Sequence, residues 1–360
     1  MVNIRLYQND DQKAWDSFVM KHPEGTIFHL TQWKNVIEKS FGHKAHYLIA
    51  EEAGNAFKSS DDTNHVKSSN KTIVGVLPLF TIKSAIFGRY LVSVPFAELG
   101  GPLVNGEMIE PRLVDQAIQY TEENRLEYLE FRNKEPKAKD LPQKDLYFNF
   151  SREIYDSLED NIKAIPRKSR RMIRQGEKNN LSFEFGTHAI DLFYDILARS
   201  YQHLGTPIFT SRLFHNFCTG FGDKCNILII FNDEHRPIGG VLFFLFKNQV
   251  VPYYAGSLVH YRNLAPNDYM YWQLMKYGYE NGCKIFDFGR SRADTGSFHF
   301  KRHWGFEPKA LCYQYYLNTL DDPPNLSPAN PKYKKKIELW QRLPFWATKI
   351  LGPPIAKYLA

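Results

Sequence analysis

The order of the predicted elements repeats once along the chain, and this repeat constrains the fold more than any other feature. After a first strand over Val2–Tyr7, apolar periodicity and capping residues predict the succession α-α-β-β-β-α-β up to Arg132. The same succession returns between Ile190 and Phe288, although the amino acids themselves barely repeat. This order predicts a tandem duplication of one α/β domain.

The segment between the two repeats divides them. Tyr147–Ser151 has the pattern of a strand, and Ser157–Asn179 has that of a basic helix, which Pro166 either kinks or restarts. The chain is therefore predicted to consist of three parts: an N-terminal domain over 1–150, a C-terminal domain with the main site over 151–320, and a basic, aromatic tail over 321–360.

The charge of the chain indicates what it binds. A net charge of +7 and a pI near 9.0 favour an anionic partner, which is nucleic acid, a phosphorylated substrate or an acidic lipid surface. The four cysteines form no C-x-x-C pair, so they predict neither a metal site nor a disulfide framework. The N-terminus has no apolar signal core and no window reaches the ~20 apolar residues of a membrane span, which predicts a cytoplasmic protein.

The stretch Phe286–Phe306 combines charged and aromatic residues after a short predicted strand, Lys284–Phe288. Its Asp287-Phe288-Gly289 triplet also occurs in protein kinases, but the glycine-rich loop, strand lysine and H-R-D loop of kinases are absent from this sequence. The phosphate-binding glycine patterns of P-loop and Rossmann proteins are absent as well. The stretch therefore predicts a different kind of site.

Three predicted segments converge here: the strand Lys284–Phe288, the strand Val250–Ser257, and the helix between them. Ligands gather at the carboxyl ends of strands in open α/β sheets, and a helix N-terminus suits a carboxylate or phosphate. We expect substrate contacts from polar and aromatic residues of these segments, namely Tyr253, Ser257, Asn267, Trp272, Arg290, Ser291, Asp294 and Trp304. Asn267 alone has the pattern of a helix N-cap.

This constellation resembles the FemAB-like branch of the acyltransferases with the GNAT fold, and in particular the FemAB-related proteins of bacterial PEP-CTERM/exosortase and exopolysaccharide loci. The similarity is carried by Tyr254–Ser257, Leu264–Asn267, Tyr271–Trp272, Phe286–Ser291, Phe300–Gly305 and Trp340–Pro353. It extends from Thr26 to the end of the chain. It implies an α/β (α+β) fold of two tandem GNAT-like domains, each with a mixed central sheet flanked by helices.

The resemblance also implies a reaction, the transfer of an acyl or aminoacyl group to an amine or hydroxyl of a cell-envelope precursor. Fem transferases take the group from aminoacyl-tRNA and pass it to a peptidoglycan precursor, whereas ordinary GNAT enzymes use acyl-CoA held by an R-x-x-G-x-G/A loop. Here Arg262–Asn267 lacks those glycines, which favours a donor other than CoA. No tightly bound cofactor and no metal is expected, and the donor is either aminoacyl-tRNA or acyl-CoA.

Three residues are the candidate catalytic groups. Asp287 orients or deprotonates the acceptor, or it only pairs with Arg290, whose planar fork suits a phosphate or carboxylate. The resemblance places a functional lysine at Lys301, for a donor phosphate or the oxyanion; the alternative is a solvated surface charge. Tyr254 lines the groove, as does Trp272, or both belong to the core.

Further contacts are expected outside this site. The basic helix carries Arg167, Lys168, Arg170, Arg171 and Arg174, which contact tRNA phosphates, an anionic lipid-linked saccharide or precursor, or water alone. In the first domain, Glu98 either helps to build a cleft or lies in a plain turn. The tail either packs on the body as a pair of helices or lies on the inner face of the membrane.

Two other functions remain open at this point. One is a CoA-dependent N-acyltransferase that acts on a nucleotide sugar or a saccharide. The other is a non-catalytic module that binds membrane or polysaccharide machinery through the basic helix and the tail.

Overall fold

The computed structural model describes residues 2–53, 71–138, 140–324 and 334–359. The polar, turn-rich stretch Gly54–Lys71, whose composition predicts a mobile hairpin loop, lies outside the described residues except for Lys71. The strands are β1 (Val2–Leu6), β2 (Lys44–Ala45), β3 (Leu48–Ala53), β4 (Lys71–Leu77), β5 (Phe80–Ser84), β6 (Gly88–Ser93), β7 (Leu103–Val104), β8 (Tyr128–Asn133), β9 (Gln143–Lys144), β10 (Tyr147–Glu153), β11 (Ser182–Phe185), β12 (Cys225–Phe231), β13 (Pro237–Phe246), β14 (Gln249–Ser257), β15 (Ile285–Arg292), β16 (Pro308–Ala310) and β17 (Cys312–Leu317).

The helices predicted from the sequence occur in the predicted order, a helix over Gly296–His303 is additional to them, and Pro166 restarts the basic helix rather than kinking it. They are α1 (Gln12–Lys21), α2 (Thr31–Phe41), α3 (Ile109–Glu123), α4 (Leu158–Ala164), α5 (Arg167–Lys178), α6 (Ile190–Leu204), α7 (Ser211–Phe221), α8 (Pro266–Glu280), α9 (Gly296–His303), α10 (Lys334–Arg342) and α11 (Phe345–Ala356).

The chain divides into two compact units, each made of several stretches. The N-terminal unit comprises 1–34, 42–144 and 312–323, and the C-terminal unit comprises 35–41, 145–311 and 324–360. The sequence predicted continuous domains with boundaries at 150 and 320. In the structure, by contrast, each unit includes short stretches from elsewhere in the chain.

The N-terminal unit contains two sheets. One has the strand order β1-β3-β4-β7, and the other has the order β2-β5-β6-β8-β17-β9. The second sheet is mixed, because β6 and β8 are parallel while β17 runs antiparallel to β8. Helix α3 buries Leu113 and Ala117 in a core with Leu91 and Phe131.

The C-terminal unit has one seven-stranded sheet in the order β11-β12-β13-β14-β15-β10-β16. Its only parallel pair within the described residues is β14–β15, and the pairing is short: Gln249 lies opposite Ile285 and Val250 opposite Phe286. Beyond these two positions the strands separate. The mixed sheet agrees with the fold class predicted from the sequence.

Helices α6 and α8 cover opposite faces of this sheet. A side chain at Gly239 would meet Pro266 of α8 at 3.6 Å, and one at Gly240 would meet Phe193 of α6 at 3.3 Å. Successive residues of a strand face opposite sides, so the two helices lie on opposite faces. Helix α7 is on the α6 face, because Phe193 and Phe214 are 5.7 Å apart between ring centroids.

A β-bulge in β14 directs both adjacent tyrosines towards α7. The register with β13 shifts between Tyr254 and Pro252, which leaves Tyr253 as the extra residue. The ring centroids of Tyr253 and Tyr254 lie 6.0 and 6.4 Å from that of Phe217. The two side chains therefore share one face, which strict alternation would not allow.

Strand β15 is longer than the sequence pattern indicated. The predicted strand ended at Phe288, whereas the observed one continues to Arg292 because β10 pairs with it antiparallel, with Asn149 opposite Arg290. Gly289 has a φ of 68°, in the region that favours glycine, and lets the strand continue. Arg290 and Ser291 therefore lie within a strand rather than in a loop after it.

Helix α5 packs on α8 through a glycine. A Cβ at Gly176 would lie 2.8 Å from the Cβ of Tyr269, an atom too close to the backbone to move aside cheaply. Ser169 also fixes the start of α5, because its hydroxyl donates to the carbonyl of His303 at 2.8 Å. The position of α5 beside α8 thus depends on a residue without a side chain.

We expect Gly176→Ala to lower the free energy of unfolding by about 1–2 kcal/mol through overpacking, although alanine is the better helix former. Gly296→Ala in α9 is the matched control, because a Cβ there meets nothing within 4 Å. Urea unfolding of both variants measures the difference. A Gly176→Ala protein as stable as the wild type would contradict this packing.

Candidate active site

The site is centred on the gap between β14 and β15. Because these strands pair only at their first residues, the later part of β15 relies on β10 for its hydrogen bonds. The candidate side chains around β14 and β15 come from both faces of the sheet. Tyr253 and Tyr254 come from the α7 face, and Lys301 comes from the α8 face.

Tyr254 lies in an aromatic cluster. Its ring centroid is 5.4 Å from that of Phe214, 5.6 Å from that of Phe209 and 4.5 Å from that of Tyr253. Burial, with smaller contributions from Tyr253 and Tyr201, raises the pKa of Tyr254 well above its ordinary value. The phenol therefore keeps its proton and can donate a hydrogen bond, but it is a poor base.

Arg290 makes a cation–π contact. Its Cζ lies 4.5 Å from the ring centroid of Tyr147, on the neighbouring strand β10. Its charge slightly offsets the raised pKa of Tyr254, which places the two groups within electrostatic reach. The contact restrains the guanidinium, whose planar fork suits recognition of a carboxylate or phosphate.

Asp287 is half-buried, and one of its carboxylate oxygens has a local partner. Its Oδ1 accepts a hydrogen bond from the backbone N–H of Gly289 at 3.0 Å. Across the sheet it lies opposite Ser151 of β10. The strand and this bond fix the carboxylate relative to Arg290, three residues further along the same strand.

Lys301 is buried, with only 8 % of its surface exposed. Its Nζ donates to the carbonyl oxygens of Gly289 at 2.9 Å and Arg290 at 3.1 Å. The ammonium also lies 5.5 Å from the ring centroid of Phe150 and 5.8 Å from that of Phe288. The alternative of a solvated surface charge is therefore wrong.

Trp304 is fully buried and donates a hydrogen bond to the carboxylate of Asp268, a residue that was not predicted to belong to the site. Its Nε1 donates to Oδ1 of Asp268 at 2.9 Å. Burial raises the pKa of Asp268 to about 6, and the indole hydrogen bond partly opposes that rise. The sequence offered little reason to place Asp268 in the site, because acidic residues are common in the first turn of any helix.

The N-terminus of α8 differs from the expected anion cradle. Ala265 precedes the helix with a left-handed φ of 60° and provides no side-chain cap, and Pro266 has no N–H to donate. Asp268 already places a carboxylate in the first turn. Asn267 is exposed inside the helix, so the expectation that it is an N-cap is wrong.

The remaining predicted substrate contacts differ in how far they are buried. Ser291 is 4 % exposed, and its hydroxyl has no hydrogen-bond partner among the described residues. Ser257 is half-buried at the end of β14. Trp272 is buried in the core on α8, and Asp294 is exposed with a left-handed φ of 58°.

Glu98 belongs to the N-terminal unit, whereas the other candidates belong to the C-terminal unit. Its backbone carbonyl accepts a hydrogen bond from the Tyr313 hydroxyl at 2.6 Å.

The basic residues of α5 form a stripe opposite the buried face of that helix. Ser169, Ile173 and Gly176 face inwards. The basic stripe is defined as Arg167, Lys168, Arg170, Arg171 and Arg174. As far as the described chain shows, none of these side chains has a hydrogen bond, ion pair or ring contact, and all but the half-buried Arg170 are exposed. An unpaired stripe of this kind suits an anionic ligand.

Two further properties bear on function. Among the described residues, no three His, Cys, Asp or Glu side chains gather in a way that would hold a metal ion. No helix within the described ranges combines the length and the apolar character needed to cross a membrane.

The comparison with protein families agrees with this geometry. Residues 163–302, less than half of the chain, match the model of the acetyltransferase (GNAT) domain family. A 90-residue stretch is 32 % identical to the lipid II:glycine glycyltransferases of Staphylococcus epidermidis and Staphylococcus haemolyticus. That alignment covers 22 % of this chain and 22 % of each relative, so it leaves most of both proteins unmatched.

Solved structures extend the similarity to nearly the whole chain. The crystal structure of FemX superposes with a TM-score of 0.63 at 15 % identity, over 92 % of this chain and 99 % of that one. A tandem GNAT protein of the clavulanic acid pathway superposes with a TM-score of 0.53 at 12 % identity, over 90 % and 100 %. The predicted fold of two tandem GNAT-like domains is thus confirmed.

The raised pKa of Asp268 predicts how the stability of the protein depends on pH. A carboxyl whose pKa rises on folding from 3.8 to about 6 binds more protons when folded, so ionising it destabilises the protein. Relative to Asp268→Asn, we expect the wild type to lose about 2–3 kcal/mol of unfolding free energy between pH 4 and pH 7. Asparagine keeps an acceptor for Trp304. Parallel pH curves in urea unfolding would contradict the shift.

Proposed function

We propose that this protein transfers an aminoacyl group from aminoacyl-tRNA to an amine of an anionic cell-envelope precursor. The observation that carries the proposal is the burial of Lys301 against the backbone of β15, the strand that parts from β14 after two residues and bears Asp287 and Arg290. The GNAT match over 163–302 includes all three residues.

The start of α8 supports a donor other than CoA. A diphosphate bound there would lack one hydrogen-bond donor, because Pro266 has no N–H. It would also be repelled by the carboxylate of Asp268 in the first turn. The start of α8 is therefore a poor amide cradle for a CoA diphosphate. The basic stripe on the adjacent helix α5 supplies positive charge for the phosphates of a larger donor.

The reaction that we propose is direct aminolysis of an ester. The acceptor nitrogen attacks the carbonyl carbon of the aminoacyl ester, a C–N bond forms, and the bond from that carbon to the ribose oxygen breaks. The nitrogen loses a proton, which ends on the departing ribose hydroxyl. Between these steps the carbonyl oxygen carries negative charge, which a positioned cation or N–H donor stabilises.

Each role falls to a residue whose surroundings suit it. Asp287 orients the acceptor amine and accepts its proton, and Lys301 faces the developing oxyanion with a charge that burial strengthens. Tyr254, held neutral, donates a hydrogen bond to the acceptor. Arg290 binds the phosphate or carboxylate of the acceptor, and Ser291 adds a hydroxyl.

The nature of the acceptor rests on the named relatives. Lipid II:glycine glycyltransferases act on a lipid-linked peptidoglycan precursor, and we extend that substrate class to this chain. The link to PEP-CTERM/exosortase and exopolysaccharide systems stays a prediction, as do a cytoplasmic location and contact with the inner membrane.

The direct test is a transfer assay with tRNA carrying radiolabelled amino acids, run beside radiolabelled acetyl-CoA. The acceptors are a lipid-linked muropeptide and its nucleotide-linked form. Label should move from aminoacyl-tRNA to one of these acceptors. Transfer from acetyl-CoA alone would establish the CoA-dependent N-acyltransferase instead, and no transfer from either donor would favour a non-catalytic module.

Substitution of Lys301 separates catalysis from packing. Lys301→Met keeps most of the side-chain volume but removes the charge, so we expect kcat to fall about 100-fold with little change in KM. Lys276→Met on α8 also removes a lysine of the same unit, 5.8 Å from the Trp272 ring centroid, and should keep wild-type turnover. If Lys301→Met lowers only stability, the lysine is structural.

Asp287→Asn makes an independent prediction. The amide oxygen still accepts from the Gly289 N–H, so the local backbone should be retained. Without a carboxylate to take the proton, we expect kcat to fall about 100-fold or more while the unfolding midpoint stays within error. Wild-type turnover in this variant would remove Asp287 from the mechanism.

The basic stripe is tested by its salt dependence. Replacing Arg167, Arg171 and Arg174 with glutamine should weaken tRNA binding at least tenfold and flatten the log–log salt slope by about 2–3. The control replaces Lys163, Arg236 and Lys284, three exposed residues of the same unit that are already ion-paired. The control variant loses the same three positive charges. If both triple variants lost tRNA affinity equally, net charge and not the basic stripe would account for binding.

A further inference from the structure

The outer face of α11 is apolar and exposed. Trp346, Ile350 and Leu351 expose 66 %, 63 % and 49 % of their surfaces, and Pro354 is exposed beside them. Their spacing of i, i+4, i+5 and i+8 places all four on one side of the helix. Exposed apolar side chains are common singly, whereas a continuous helical face of them marks an interaction surface.

The opposite face of α11 is packed on the body of the C-terminal unit. Ala347, Thr348, Gly352 and Ala356 are buried, and a Cβ at Gly352 would lie 2.8 Å from the carbonyl oxygen of Ile208. These small residues let the helix approach closely. The apolar face is therefore what remains after α11 has buried its other side.

Polar contacts fix the two tail helices in this position. Lys349 forms an ion pair with Asp195 of α6 at 2.7 Å, and Arg199 lies 4.1 Å from the ring centroid of Phe345. Gln341 of α10 donates to the carbonyl of His203 at 2.7 Å. The tail thus packs on the body, and this packing holds the apolar face in place.

The surroundings of this face are strongly basic. The described part of the tail, 334–359, contains a single acidic residue, Glu338. Its basic residues are Lys334, Lys335, Lys336, Arg342, Lys349 and Lys357. A helix with an apolar face among lysines and arginines is typical of segments that lie on anionic membranes.

We propose that the apolar face of α11 inserts into the surface of an anionic phospholipid bilayer while the basic residues of the tail contact lipid headgroups. Twelve residues of helix are about 18 Å long, too short for a hydrocarbon core of about 30 Å. The helix therefore lies in the interface, parallel to the membrane. The aromatic Trp346 suits the headgroup level.

A second copy of this chain fits the surface less well. In a twofold contact the same patch meets itself, so the basic residues of one tail would face those of the other. Juxtaposed like charges disfavour such a contact. Anionic lipid compensates the same charges, which is why the membrane is the occupant that we propose.

The test is co-sedimentation of the full chain with vesicles of phosphatidylcholine alone or with 30 mol% phosphatidylglycerol added. We expect binding to the anionic vesicles and weaker binding at high salt. The triple variant Trp346→Gln, Ile350→Gln, Leu351→Gln should lower the partition coefficient at least about tenfold. Because these side chains face solvent, its melting temperature should not fall.

The matched control is the double variant Ile86→Gln, Met108→Gln, whose side chains are 80 % and 81 % exposed in the N-terminal unit. It should bind vesicles like the wild type. Lipids brominated in their acyl chains should quench tryptophan fluorescence, and Trp346→Phe should remove most of that quenching. Trp15, Trp33 and Trp304 are fully buried and should contribute little.

Three results would overturn the proposal: absence of vesicle binding, equal binding by the triple variant, or equal loss in the control. A lipid-free dimer that the triple variant abolishes, without vesicle binding, would assign the face to self-association. None of these measurements involves group transfer. Failure here leaves the proposed reaction untouched, and failure of the transfer assay leaves this surface untouched.

Discussion

The short pairing of β14 with β15 is the constraint on which the rest of the site depends. Two parallel positions join the strands, and beyond them β15 finds its hydrogen bonds on the other side, with β10. The same strand then offers the carbonyls of Gly289 and Arg290 to a lysine that reaches it from α9. A buried ammonium is tolerated only where acceptors meet it, so the position of Lys301 depends on these two carbonyls of β15.

Much of the fold was predictable because apolar periodicity is a local signal. The element order, the duplication and the divider around Pro166 follow from it. The end of β15 does not, since Gly289 followed by Arg290 has the composition of a loop, and only the distant strand β10 makes it extended. Tertiary pairing overrides local pattern in such cases.

The candidate site shows the same limit more sharply. Lys301 stands between charged and aromatic neighbours, and nothing in its local sequence indicates burial; the three-residue spacing from buried Phe298 is apparent once α9 is known. The sequence around Asp268 does not predict its burial or its raised pKa, because its hydrogen-bond partner Trp304 lies 36 residues away. Segments were predictable, whereas partners between segments were not.

The path of β17 has a consequence for biosynthesis. This strand lies between β8 and β9 in a sheet of the N-terminal unit, yet it follows the whole C-terminal sheet in the chain. A growing polypeptide cannot complete its first unit until residue 317 has left the ribosome. Until then β8 exposes an unpaired edge, the kind that recruits foreign strands. The strands of the C-terminal sheet are therefore synthesised while the first unit still lacks β17.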